Sequence, residues 1–196
     1  MPPHQPLFTI PMTLPIIILA SSYFLYGVGF TPHTLFLVEY ISNFLQYHNN
    51  IDALSWSLFG VGTVVGTISA GVIADRIGVG KCLVMAYILA IVGVLLILLT
   101  HAILSLALSS LIMGMLFISL VSLSSTQLSK LVPHHQYPSL WGMMTGLFAF
   151  SQTASAYGMS HLIQYQAIGY NIMFFIALIV LIMALILSLC LLKTQR

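Results

Sequence analysis

The sequence predicts an all-α integral membrane protein, a bundle of six transmembrane helices. Three observations carry that expectation. Only 4% of the 196 residues are charged and 60% are hydrophobic, where a soluble domain carries about 25% charged residues. Six apolar stretches, each close to the ~20 residues that cross a bilayer, are separated by the few polar breaks. The lysines and arginines all fall on one side of a six-span arrangement. A soluble fold with this composition and a mean hydropathy of +1.08 would expose large apolar patches and aggregate.

Residues 1–15 read as an extended leader, because Pro2, Pro3, Pro6, Pro11 and Pro15 disfavour helix. With no Lys or Arg, this stretch lacks the basic start of a secretory signal. The domain proper spans residues 16–192. The first span is expected at Ile16 to Glu39, with Pro32 kinking it. The second is expected at Ala53 to Ala74, the third at Lys81 to Thr100, and the fourth at Ala102 to Gln127. The fifth is expected at Ser139 to Gln164 and the sixth at Asn171 to Leu192. Residues 193–196 form a short tail. The longer connections are Tyr40 to Asp52 and Ser129 to Pro138, and neither suggests a second domain.

Arg76 and Lys81 lie between the second and third spans, Lys130 between the fourth and fifth, and Lys193 and Arg196 after the sixth. The opposite loops hold no Lys or Arg. The positive-inside rule then puts both termini in the cytoplasm, with the cell inner membrane as the location. Cys82 and Cys190 lie at that reducing side, so no disulfide is expected. A formal net charge of +2 without a basic run excludes nucleic acid as a partner.

The third and sixth spans are apolar all round and suit a lipid-facing position. The second and fifth carry small residues. Gly62-x-x-x-Gly66 lies in one; Gly142, Gly146 and Gly158 lie in the other. Such spacing lets helix backbones approach closely, either inside this bundle or against another one. The first and fourth spans carry polar groups at depth, and polar groups in hydrocarbon usually face the bundle interior or a water-filled cavity. Ser109, Ser110, Ser119 and Ser122 are weak evidence, because a serine can bond its own helix.

Between the second and third spans the chain reads Gly71-Val-Ile-Ala-Asp75-Arg76-Ile-Gly78-Val-Gly-Lys81. This resembles the signature loop of the major facilitator superfamily, Gly-x-x-x-Asp-Arg-x-Gly followed by basic residues. Gly71 would permit close packing, Asp75 would accept N–H bonds at a helix N-terminus, and Gly78 would allow a tight reversal. Arg76 and Lys81 would anchor the cytoplasmic face. Val79 and Gly80 depart from the pattern, which suits the second copy of the loop, in the C-terminal half of the protein. Tyr26-Gly27-Val-Gly29-Phe30 and Trp56-Ser-Leu-Phe59-Gly60 look like the seventh and eighth spans of YbfB/YjiJ-type facilitators. Gly146 to Gly158 looks like their eleventh.

The resemblance covers nearly the whole chain but only half of a twelve-helix major facilitator fold, whose two halves are related by an axis along the membrane normal. It implies a secondary transporter moving a small solute by alternating access. The second half would come from another copy or a neighbouring frame; a truncated remnant without activity is the alternative. The solute pathway candidates are Tyr26, His33, Thr34 and Gln152. Imidazole titrates near neutral pH in water, so one reading of His33 is a proton carrier. The other, a hydrogen bond inside the bundle, weighs more. Glu39 and Asp52, at the outer ends, read as solvated. No cofactor or metal is expected. The chain has no G-x-S-x-G or H-E-x-x-H, and His134 beside His135 does not make a metal site, so an intramembrane enzyme is disfavoured.

Overall fold

A computed structural model describes residues 12–47, 50–165 and 167–194, with no strand among them. Six helices follow one another: α1, Leu14–Phe44; α2, Ile51–Ile77; α3, Val79–Leu99; α4, Ile103–Leu131; α5, Tyr137–Ile163; α6, Ala167–Thr194. At 1.5 Å per residue, the 21 residues of α3, the shortest, span about 32 Å. That matches the hydrocarbon core of a bilayer.

Most of the expected leader, residues 1–11, lies outside the described residues, as does Arg196 of the tail. Pro15 does not keep the chain extended: α1 begins at Leu14, and Pro15 sits in the first turn, where a missing N–H removes no helical bond. Helix α1 also outruns its expected end by five residues. At Pro32–Phe36 and Tyr40–Phe44 it widens into π turns. The first begins at the proline, which has no N–H for the α ladder. The second lies where Tyr40 and Ile41 are buried. There Tyr40 packs against Tyr170 and Phe174 with ring centroids 5.3 Å apart, so burial continues a helix that local polarity would have ended.

The bundle is laid out with α1 and α4 near the middle. Helix α2 lies mainly on α4 and α5 on α1, while α6 lies on α1 and α3 on α4; α3 and α6 also touch each other. Exchanging α1 with α4, α2 with α5, and α3 with α6 returns the same contact pattern. This is the inverted three-plus-three repeat found within some transporter halves.

Close backbone packing makes the α2–α4 seam. The buried stripe of α2 is Ser55, Phe59, Gly62, Gly66, Ala70 and Ala74, one residue per turn. A Cβ on Gly62 would strike the backbone of Leu111 and Met115, and one on Gly66 that of Met115; a Cβ on Gly114 would strike Phe59. Met85, Ile88, Leu89 and Val92 of α3, with Ile172, Phe175, Ile179, Ile182 and Ile186 of α6, form exposed stripes without a polar member. Lipid is the medium that suits them.

Among the described residues, five helices are long and apolar enough to cross a membrane; α5 is not one of them. It carries Thr145, Ser151, Gln152, Thr153, Ser155, Ser160 and His161, and only Leu140, Met144, Ser151 and Met159 of it are buried. Gly142, Gly146 and Gly158 face open space, as do Gly60 and Gly71 of α2. The small residues of the second and fifth spans therefore divide by azimuth: Gly62 and Gly66 press on α4, and the others leave uncovered faces.

Candidate functional site

An open groove of about 780 Å³ runs between the central helices. Its walls are Thr34 and Leu35 from α1; Phe117, Ile118 and Val121 from α4; and Phe148, Gln152, Thr153 and Ala156 from α5. Two of the residues expected from sequence, Thr34 and Gln152, meet here. Thr34 Oγ1 donates back to the carbonyls of Phe30 and Thr31, at 3.3 and 3.2 Å, and Thr153 Oγ1 to Ala149 at 2.9 Å. Spending their protons on their own helices, these hydroxyls offer the groove acceptor lone pairs. The backbone carbonyl of half-buried Gln152 accepts from Ser155 Oγ at 3.1 Å, while its side-chain amide has no hydrogen bond to a described residue and keeps two donors and an acceptor.

Beneath the groove is an aromatic floor. Tyr23 stacks on Phe148 at 4.7 Å and Phe30 on Phe117 at 5.6 Å; Tyr26 lies 5.0 Å from Phe30 and 5.6 Å from Phe148. Tyr26 belongs to this floor rather than to the groove wall. It is fully buried, and its hydroxyl donates to the carbonyls of Leu116 and Phe117 at 3.2 and 3.0 Å. Gly27 lets α5 come close, since a Cβ there would strike Ser151 and Phe148. Beside it, Thr31 Oγ1 lies 2.7 Å from Ser155 Oγ, tying α1 to α5.

His33 lies on another side of α1, also fully buried. Its Nε2 is 3.0 Å from Ser109 Oγ of α4, and Ser109 donates its one proton to the Gly93 carbonyl of α3 at 2.7 Å. The imidazole must therefore donate from Nε2. Nδ1 then has a bare lone pair with no partner among the described residues, while Phe174 meets the ring edge-on at 5.6 Å. The geometry makes His33 a cross-brace joining α1, α4 and α3.

The signature-loop residues lie at one end of the bundle, away from the groove walls. Gly78 has φ +92° and links α2 to α3, a backbone that L side chains rarely adopt. It also occupies the N-cap position of α3, and no side chain caps that helix. Asp75 instead sits in the last turn of α2, so the expected carboxylate cap is not formed. Asp75, Arg76 and Lys81 are exposed there, and Gly71 faces open space. Cys82 is buried and Cys190 exposed, both unpaired.

Sequence reading missed Phe117 and Phe148, whose rings form the groove's apolar wall. Nothing in an apolar helix marks one phenylalanine as lining a cleft. Among the described residues no His, Cys, Asp and Glu group could hold a metal. A family model described as "Uncharacterised MFS-type transporter YbfB" matches residues 3–189. No curated protein and no solved structure matches the chain.

Proposed function

From the premise that the chain belongs to the YbfB family of MFS-type membrane transporters, we propose that its six helices form one wall of a solute pathway, completed by a second six-helix bundle. One observation carries this reading: the polar residues of the membrane-depth helices, Thr34 and Gln152, meet on a groove that this bundle leaves open on one side. An apolar cleft with a few placed polar groups suits a small organic solute. The uncovered small-residue faces of α2 and α5 support a second bundle as well. Solute would be exposed to either side in turn as the bundles rock about it.

The basic residues Arg76, Lys81, Lys130 and Lys193 share one end of the bundle. By the positive-inside rule that end, with both termini, is cytoplasmic, in the cell's inner membrane. The second bundle would be another copy, a separate half, or further sequence joined to this one. Solute uptake into proteoliposomes tests the reading. Transport is expected with a complete pathway and is lost in Gln152→Leu. If Gln152→Leu transports normally, the groove is not the path.

A further inference from the structure

We propose that the mouth of this groove selects cationic solutes with an aromatic or otherwise apolar body, through Asp52 and Trp56; the inference rests on the groove being the solute path. A second cavity, of about 420 Å³, lies between α1 and the start of α2 and is lined by Thr34, Val38, Asp52, Ala53 and Trp56. Thr34 lines both cavities, so this one adjoins the Gln152 groove. Asp52 and Trp56 are four residues apart on a helix and therefore share one face. Asp52 Oδ1 accepts the Ala53 N–H at 2.8 Å, which holds the carboxylate at the helix start. Trp56 stacks on Phe59, with ring centroids 5.2 Å apart and 4° between planes, and stays 48% exposed. A fixed indole beside a carboxylate recognises ammonium or phosphonium groups, because the ring face and the charge attract the same ion.

The charges of the whole chain agree. The end of the bundle that holds Asp52 also holds Glu39 and has no Lys or Arg in its helix ends or loops. Among the described residues, every Lys and Arg, namely Arg76, Lys81, Lys130 and Lys193, lies at the other end, with Asp75. A mouth bearing one sign of charge concentrates counter-ions. Further in, the groove has the rings of Phe117 and Phe148 and the Gln152 amide, and no cation to pair an anionic solute.

The test uses two probes of one shape and opposite charge, tetraphenylphosphonium and tetraphenylborate. Saturable binding is measured on the full chain in zwitterionic nanodiscs, with empty nanodiscs subtracted. Tetraphenylphosphonium is expected to bind and tetraphenylborate not. Asp52→Asn should weaken the cation about tenfold and Trp56→Leu several-fold, while Asp52→Glu restores it. Unchanged unfolding midpoints would show that these variants fold. If both ions bind alike, or Asp52→Asn binds the cation normally while Gln152→Leu does not, the charge-selective mouth is overturned and the groove stands. If neither ion binds saturably, the mouth proposal is overturned. If Gln152→Leu also leaves uptake intact, the groove falls with it.

Discussion

Replacing Gly66 by alanine adds one methyl group where α2 meets α4, and the structure sets what it would meet. The new Cβ would lie on the backbone of Met115, and backbone cannot turn aside as a flexible side chain does. The two helices must part along the seam that also uses Gly62 and Gly114. Overfilling a packed interior typically costs about 1–3 kcal/mol. Gly71→Ala is the matched control: it makes the same change in the same helix, with nothing within 4 Å of the new atom. Helix propensity cancels between the two variants, and a substitution in open space shifts stability by less than about 0.5 kcal/mol. The expected gap is thus about 1–3 kcal/mol, or roughly 5- to 150-fold in the unfolding equilibrium. Titration from mild detergent into dodecyl sulfate, followed by tryptophan emission, measures it. Equal midpoints for the two variants would mean that α2 does not press on α4 through Gly66, and the placement of the seam would be wrong.

Single and double alanine variants of His33 and Ser109 should show a coupling of about 0.5–1.5 kcal/mol in the same titration; strictly additive effects would remove the His33–Ser109 bond. Gln152→Leu should leave the unfolding midpoint within about 0.5 kcal/mol, because the residue is half-buried on the groove wall, and uptake in vesicles should separate that stability from loss of transport. With Cys82 and Cys190 replaced by serine, a cysteine at Lys130 should react with an impermeant maleimide only from the cytoplasmic side, and one at Ser42 only from outside. Reaction of both from one side would break the six-span arrangement.

The number of helices was legible because each is a long apolar run between polar breaks. Their ends were less so. Tyr40, Ser42 and Asn43 read locally as loop, yet Tyr40 is buried against Tyr170 and Phe174; that contact is more than a hundred residues away in sequence. Pro15 was misleading for the opposite reason, since its effect depends on which helical position it occupies. In the site, Thr34 stood out as a polar side chain at depth and Gln152 through the resemblance of the Gly146 to Gly158 stretch, and they meet on the groove. Tyr26 and His33 stood out as Thr34 did but are enclosed, bonded to α4. Polarity shows that a residue needs a partner, not whether the partner is solute or protein. Asp52 looked like an ordinary solvated residue at a helix end until Trp56 and Thr34 appeared around it.

The inverted repeat sharpens the case for a second bundle. Helices α2 and α5 are equivalent in the contact pattern, but they are attached differently. Glycines on both sides lock α2 to α4, while α5 buries four residues, Leu140, Met144, Ser151 and Met159. Lipid would be a poor medium for the groove face of α5: its hydroxyls bond their own helix, but the side-chain amide of Gln152 has no hydrogen bond among the described residues, and an unbonded amide facing hydrocarbon costs free energy. Water alone is a poor medium too, since Leu147, Phe150 and Tyr157 are exposed on the same helix. A helix with both kinds of surface fits the edge between an aqueous groove and another protein face. Gly146→Leu separates these surroundings. With nothing within 4 Å of a Cβ added at Gly146, the variant should unfold at a midpoint no lower than the parent's, since leucine favours helix over glycine by up to about 1 kcal/mol. It should nevertheless lose transport, because the added side chain occupies the face that the second bundle needs. Normal transport by a well-folded Gly146→Leu protein would mean that this face of α5 meets no partner.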